Sequence, residues 1–253
     1  MIKFSRFCFF AAILTVALMS FSGCVNAQTT EQRVFGCSYG IFVVINNKAQ
    51  FYEFDGDSLA HNSSMDFTLP EGYKSVYGYY DAICVVINDK VRYYKHNGDS
   101  WVIDSVLPEF ALPAGYGSVF GSRRNIGAVC VVVNNKVQLY GFSGKIWRTD
   151  PVSDFTLPGG YRTVFGGSDG VGVAAGNKAQ FYEFTGAAGW VADSRYDLAL
   201  PDRYITVFGS KNDFNKWESV FVVMNDRVQF YAFDMDKNSW TTDSDWVFML
   251  PKI

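Results

Sequence analysis

One succession of apolar and polar positions recurs five times along the chain. Each unit begins with Val, an aromatic residue and Gly, then continues through a short apolar run, two turn residues, a basic residue, an aromatic segment and Leu-Pro. The units begin at Val34, Val76, Val119, Val164 and Val207. A period of about 43 residues is typical of supersecondary units that pack side by side.

The third unit shows the predicted elements most clearly. We predict a first strand at 118–121, a second in the continuous apolar run 128–133, buried on both faces, and a third at 136–142. Asn134-Asn135 predicts a hairpin turn with positive φ at both residues. The equivalent pairs are Asn46-Asn47, Asn88-Asp89, Gly176-Asn177 and Asn225-Asp226. The segment that leads to Leu-Pro completes a unit of four short strands.

Five such units predict an all-β fold, a five-bladed β-propeller of four-stranded repeats. A β-solenoid or a pair of sandwiches is the alternative, but a solenoid needs parallel coils and the hairpin turns are antiparallel. We place the propeller at 28–253. Its repeats are 34–75, 76–118, 119–163, 164–206 and 207–253.

Residues 1–27 have the features of an export signal and a short linker. Lys3 and Arg6 precede a mostly apolar stretch, 8–21, that is short for a membrane span. Cleavage before Cys24, as in a bacterial lipoprotein, would leave a lipid-bearing N-terminal residue. Cleavage after Ala27 would instead release a soluble protein. Both interpretations predict export to the cell envelope or beyond, with a membrane contact only through the lipid.

The cysteines predict no disulfide framework. Cys84 and Cys130 occupy the same position in successive units, where the other units have Phe or Gly. This is the profile of a buried strand residue, and we expect both thiols to be free. A bridge between them is the less favoured alternative, because equivalent positions in neighbouring units seldom lie within bonding distance.

Composition limits the partners. Hydrophobic residues make up 49% of the chain, enough for a packed core. The formal net charge is −3, whereas nucleic-acid binding needs a dense basic face. We therefore expect no nucleic-acid partner.

The connections between strands predict which rim binds. In an up-and-down blade the first and third connections lie on one rim, and the second and fourth on the other. The second and fourth are nearly the same in every unit, whereas the first and third vary, and variable loops on a rigid frame usually carry function. The candidate ligand-binding residues are Tyr79, Tyr80, Arg123, Arg124, Lys216, Trp217 and Glu218.

A Trp-x-x-Asp motif provides a second, repeated candidate site. It could form one sugar platform per blade, with the indole stacking on the ring and the carboxylate accepting hydroxyl groups. The structural alternative, which we favour, is that the Trp packs between blades and the Asp caps a turn. The motif residues are Trp101, Asp104, Trp147, Asp150, Trp190, Asp193, Trp240 and Asp243; the first unit has Leu59 and Asn62 instead.

The order of basic residue, aromatic strand, Gly, Trp-x-x-Asp, Pro and Tyr resembles the repeat of hemopexin-type propellers. The number and length of the units also resemble five-bladed repeat lectins. Both resemblances imply a propeller fold, and neither supplies a ligand, because no sugar-binding motif can be matched residue by residue.

Three patterns bear on catalysis and metal binding. Residues 166–170 match the G-x-S-x-G hydrolase motif, but that motif needs a strand-to-helix turn and a later His. Asp234, Asp236, Asn238 and Asp245 have the spacing of a calcium loop, but Ser239 stands where that loop requires Gly. The predicted inner strands carry no acid, whereas a propeller glycosidase needs carboxylates at the axis.

These features together predict an exported, non-catalytic binding module without a cofactor or a metal. We expect its partner to be an extracellular protein or glycan, bound at the rim of variable loops. A lectin with one sugar site per blade is the first alternative. A glycosidase is disfavoured.

Overall fold

The repeated unit folds as one antiparallel sheet in each of its five copies. The computed structural model describes residues 33–37, 40–54, 58–79, 82–122, 128–149, 154–166, 170–186, 189–210, 219–242 and 247–252. The lipobox residue Cys24 lies outside these ranges. Among the described residues no helix is long and apolar enough to cross a membrane.

Three long strands form the inner part of each sheet. The first strands, β1, β6, β11, β16 and β21, are Arg33–Cys37, Tyr73–Tyr79, Tyr116–Ser122, Tyr161–Gly166 and Thr206–Ser210. The second strands, β2, β7, β12, β17 and β22, are Gly40–Ile45, Ala82–Ile87, Ala128–Val133, Gly170–Ala175 and Ser219–Val223. The third strands, β3, β8, β13, β18 and β23, are Lys48–Phe54, Lys90–His96, Lys136–Phe142, Lys178–Phe184 and Arg227–Asp234.

The fourth strand of each sheet consists of two short segments that both pair with the third strand. The first segments, β4, β9, β14, β19 and β24, are Leu59–His61, Trp101–Ile103, Trp147–Thr149, Trp190–Ala192 and Ser239–Thr241. The second segments, β5, β10, β15, β20 and β25, are Phe67–Thr68, Phe110–Ala111, Phe155–Thr156, Leu198–Ala199 and Val247–Met249. In units 1 and 4 a 3₁₀ turn separates the two segments, at Ser63–Met65 and Ser194–Tyr196.

The first strands line the axis of a five-bladed β-propeller. Each contacts the first strand of the next sheet, and β1 contacts β21, so the ring is complete. All strands of a blade come from one continuous unit. The ring therefore closes by packing between blades 1 and 5, and none of the described strands is exchanged between blades.

Five hydrophobic clusters fill the molecule, one between each pair of neighbouring blades. The second strands contribute to two clusters at once, which explains why they are apolar on both faces; β7 is buried along its whole length. Cys84 and Cys130 lie in these strands with 0% and 4% exposure. Neither forms a disulfide bond, nor does the buried Cys37, and the sequence prediction for the pair is confirmed.

The predicted hairpin turns join the second and third strands. Both turn residues have positive φ in units 1 to 3, for example 50° at Asn134 and 60° at Asn135. In unit 4 the positive φ is that of Gly176, at 60°. The fifth hairpin differs, because neither Asn225 nor Asp226 is among the described residues with positive φ.

Candidate functional site

The strand registers divide the propeller into two rims. Tyr79 pairs with Ala82, and His96 pairs with Trp101, so the first and third connections of blade 2 lie at the same end of the sheet. Ile87 pairs with Lys90 at the opposite end. We call the end with the first and third connections the variable rim, and the end with the second and fourth connections the regular rim.

The first connections are described only by the strand ends that flank them. Tyr79 is the last residue of β6. The other candidates, Tyr80, Arg123, Arg124, Lys216, Trp217 and Glu218, lie outside the described residues. The strands that flank them show how the connections differ: two residues separate β1 from β2 and β6 from β7, five separate β11 from β12, three separate β16 from β17, and eight separate β21 from β22.

A buried hydroxyl lies directly after the longest of these connections. Ser219, the first residue of β22, is 1% exposed. Its Oγ has no hydrogen-bond partner among the described residues. A buried polar group of this kind is uncommon in proteins, and it places a polar atom at the base of the blade 5 loop.

In blades 2 to 5 a side chain holds the third connection in a turn, which the sequence did not predict. In each described case the residue after the third-strand aromatic holds the loop with its side chain. Asn97 Oδ1 accepts the N–H groups of Asp99 and Ser100 at 3.1 and 2.9 Å. Asp234 Oδ1 likewise accepts the N–H groups of Asp236 and Lys237. Ser143 Oγ and Thr185 Oγ1 instead donate to the carbonyls of Ile146 and Gly189, both at 3.2 Å. The sequence contained a signal for these turns. All five units have Asn, Ser, Thr or Asp at this position, including Asp55 in unit 1.

The tryptophans of the repeated motif are packing residues. Each described indole ring is in contact with aromatic side chains of its own and the preceding blade; Trp147 lies 5.0 Å from Phe110 and 5.3 Å from Phe142, measured between ring centroids. Three indoles also donate Nε1–H to a carbonyl of the preceding blade. The bonds run from Trp101 to Met65, from Trp147 to Pro108 and from Trp240 to Tyr196, at 2.9, 3.3 and 2.9 Å.

The carboxylates of the motif cap the turn that follows. Asp193 Oδ1 accepts the N–H of Arg195 at 3.1 Å and begins the 3₁₀ turn, and Asp104 Oδ1 accepts the N–H of Val106 at 2.7 Å. In unit 1 Asn62 takes the place of this Asp. Its Oδ1 accepts the N–H of Ser64 at 3.2 Å, so the cap is preserved although the residue differs. Asp150 and Asp243 lie outside the described residues.

In blades 1, 2 and 4 an ion pair ties the basic residue of the hairpin to the outer edge of the blade. Lys48 Nζ lies 2.8 Å from Asp66, Lys90 3.0 Å from Glu109 and Lys178 2.5 Å from Asp197. Burial of Asp66 opposes its ionisation, but hydrogen bonds from Lys48, the N–H of Phe51 and His61 outweigh this and hold the pKa of the carboxyl below its ordinary value.

Asp234, the first of the calcium-loop residues, is engaged with its own turn. Asp234 Oδ1 accepts the N–H groups of Asp236 and Lys237, both at 3.0 Å. Its Oδ2 lies 2.7 Å from Lys237 Nζ. Over the described ranges no group of three metal-ligating side chains is found. Asp245 and the central residues of the G-x-S-x-G match, 167–169, lie outside those ranges.

Comparison with known proteins secures no family. No family model and no curated protein sequence matches the chain. Among solved structures, Hsv2 of Kluyveromyces marxianus aligns with 85% of this chain and 98% of its own, with a TM-score of 0.46 and 11% identity. A protein of unknown function from Desulfotomaculum acetoxidans aligns with 85% of this chain and 68% of its own, with a TM-score of 0.44 and 10% identity. The chain spans 59% of Hsv2 of Kluyveromyces lactis, with a TM-score of 0.44 and 10% identity. Similarities of this size transfer no ligand and no activity.

Proposed function

We propose that the chain is an exported, non-catalytic binding module that holds an extracellular protein or carbohydrate at its variable rim. The observation that carries this proposal is the contrast between the two sets of connections. Two residues separate the second and third strands in units 1 to 4, whereas the first connections range from two to eight residues. Packing of one repeated blade does not require such variation, but recognition of an asymmetric ligand does.

The fixed third connections support the same interpretation. Loops that are held by their own side chains lose little conformational entropy when a ligand binds. They would form a rigid surround for the first connections, which bring the Tyr, Arg and Trp side chains that supply most of the energy in protein interfaces.

The alternative with one sugar site per blade has less support. A platform needs an indole face and a carboxylate that are free to meet a ligand. In the described motifs the indoles are packed against aromatic rings and the Asp side chains cap turns. A glycosidase is also disfavoured. It would need carboxylates at the axis, and the described first strands carry no Asp or Glu.

Two sets of substitutions test the proposal. Tyr80, Arg124 and Trp217 changed together to Ala should leave the melting temperature nearly unchanged, since surface changes usually cost within about 0.5 kcal/mol each. The control set, on the regular rim, is Lys90, Lys136 and Lys178 changed to Ala. Lys90 and Lys178 contribute exposed ion pairs, so this set should lower stability slightly, by up to about 1 kcal/mol for each pair.

Binding of the purified variants is measured on a glycan array and against a panel of extracellular proteins. We expect the loop set to weaken any interaction of the unaltered protein by at least about tenfold, and the lysine set to leave it intact. Loss of binding in the lysine set alone would assign recognition to the regular rim. Equal binding at several sites per chain would favour the repeated-site lectin.

A further inference from the structure

The third connection of blade 2 contains the only Asn-Gly pair in the sequence, Asn97-Gly98. An Asn side chain that precedes Gly can react with its own backbone, because the Gly nitrogen attacks the side-chain amide and closes a succinimide ring. Gly permits this attack because it has no Cβ to obstruct a close approach of the backbone. Both residues are exposed, so water can reach the amide and the ring that it forms.

The neighbouring His96 is placed to act as a base. Its Nδ1 accepts the N–H of Gly98 at 3.2 Å. Because Nδ1 is the acceptor, the imidazole is neutral and carries its proton on Nε2. A general base must lie within hydrogen-bonding distance of the proton that it removes. The proton in contact with His96 is the one that the Gly98 nitrogen has to lose when it attacks.

Packing against blade 1 fixes the imidazole. The His96 ring lies 5.3 Å from the ring of Trp101, measured between centroids, at an angle of 71°. Trp101 in turn donates its Nε1–H to the carbonyl of Met65 at 2.9 Å. His96 Nε2 is buried, and no hydrogen-bond partner for it is found in the described part of the chain. The ring is therefore held with its Nδ1 edge towards the loop.

The amide that would be attacked is already held by two donors. Asn97 Oδ1 accepts the N–H groups of Asp99 and Ser100 at 3.1 and 2.9 Å. Attack on the amide carbon moves negative charge onto this oxygen. Backbone N–H groups at such distances stabilise an oxyanion as it develops. The loop thus combines a nucleophile, a base and an oxyanion site around one side chain.

We propose that Asn97-Gly98 is a self-modification site, at which the chain forms a succinimide and water then opens it. His96 Nδ1 takes the proton of the Gly98 N–H as this nitrogen bonds to Cγ of Asn97. The bond from Cγ to Nδ2 breaks, and ammonia leaves with the proton that His96 returns. Water adds to either ring carbonyl, which leaves aspartate at this position or isoaspartate, in which the backbone runs through the side chain.

The modification would change the charge of the variable rim, because either product adds a negative charge to the loop. Aspartate is compatible with the turn, since Asp234 holds the equivalent turn of blade 5 with its carboxylate. Isoaspartate adds an atom to the backbone and would separate the carboxylate from its two N–H donors. The proposal goes beyond the binding function and does not depend on it.

Comparison of the folded chain with a peptide tests whether the fold promotes the reaction. The full chain and a synthetic peptide of residues 93–103 are incubated in the same neutral buffer. Mass spectrometry of the tryptic peptide 96–123 measures the replacement of the amide NH₂ by OH, and hydroxylamine under native conditions cleaves the chain at the succinimide. We expect the folded chain to react at least about tenfold faster, because only the fold positions the base. A folded chain that reacts no faster than the peptide would overturn the proposal.

Two histidine variants test the role of His96. H96F retains an aromatic ring beside Trp101 but has no base, and should react at least about tenfold more slowly than the unaltered chain. The matched control is H61F in blade 1, where the imidazole contacts Asp66 instead, and its rate should be unchanged. N97S, which introduces the residue of blade 3 at this position, should abolish the reaction. If H96F reacted as fast as the unaltered chain, His96 would not be the base. The comparison with the peptide uses the unaltered sequence, so it decides the proposal even where H96F lowers the melting temperature.

Discussion

At the scale of single residues, the glycines near the ends of β6, β16 and β21 determine how closely these first strands approach their neighbours. A Cβ atom on Gly78 would lie 1.8 Å from the carbonyl oxygen of Gly36, and one on Gly166 would lie 2.0 Å from that of Gly121. The contact is with backbone, which cannot turn away as a flexible side chain can. The repeated Val-aromatic-Gly therefore places a residue without a side chain where two backbones meet.

Gly78→Ala should consequently destabilise the protein by about 3 kcal/mol, near the upper end of the range for overpacked positions. The matched control is Gly141→Ala in β13, where a Cβ would meet nothing within 4 Å, so that change should be neutral or slightly stabilising. Urea denaturation of the two variants measures the difference. Equal stability would mean that the first strands are farther apart than the glycine contacts indicate.

At the scale of elements, the hairpin turn and the Leu-Pro segment of each blade act together. The N–H of the Leu donates to the carbonyl of the second turn residue in all five units, as from Leu157 to Asn135 at 2.9 Å. The Pro that follows has no N–H to leave unpaired at the sheet edge. The turn therefore joins the second strand to the third and also holds the end of the outer edge.

Replacement of Asn134-Asn135 by Val-Val should cost a few kcal/mol, because β-branched residues are strained at φ values of 50° and 60°. The same replacement at Asn225-Asp226, where neither residue is among the described positions of positive φ, should cost less. Thermal unfolding followed by circular dichroism compares the two. A greater loss at the fifth hairpin would contradict the role assigned to positive φ.

The features that the sequence predicted are those that depend on neighbouring residues. The apolar run 128–133, the turn after it and the absence of a bridge between Cys84 and Cys130 follow from local pattern, and all are found. The division of the fourth strand into two segments was not predicted, because it depends on how the bends after the Trp motif pack against the next blade. The fixed third connections were missed because Asn97, Ser143, Thr185 and Asp234 are different residue types with one role. The candidate ligand-binding residues of the first connections remain predictions. Of these residues the structure describes only Tyr79, the last residue of β6.

At the scale of the whole molecule, the seam between blades 1 and 5 is built like the other four interfaces. Val34 and Ile41 of blade 1 share a core cluster with Val223 and Leu250 of blade 5. Tyr52 and Phe248 are in aromatic contact across the seam, with ring centroids 4.6 Å apart. At the next interface Tyr94 contacts Phe67 in the same way, at 4.8 Å. The interface between blades 1 and 5 therefore differs from the others only in that no chain segment joins the two units, and not in how the blades pack.

Moving the chain ends to another interface should accordingly preserve the fold. The permutant joins the end of unit 5 to β1 by a short Gly/Ser linker, which is feasible because Leu250 and Val34 share one cluster, and opens the chain between Ala114 and Gly115 in the exposed connection before β11. We expect its melting temperature to fall by no more than about 5 °C, since every blade keeps its strands. A second permutant, opened between Asn134 and Asn135, separates β12 from β13 within one sheet and should be much less stable. If both permutants unfolded at the same temperature, blades would not be the units from which the ring is assembled, and the seam would have a role that the other interfaces lack.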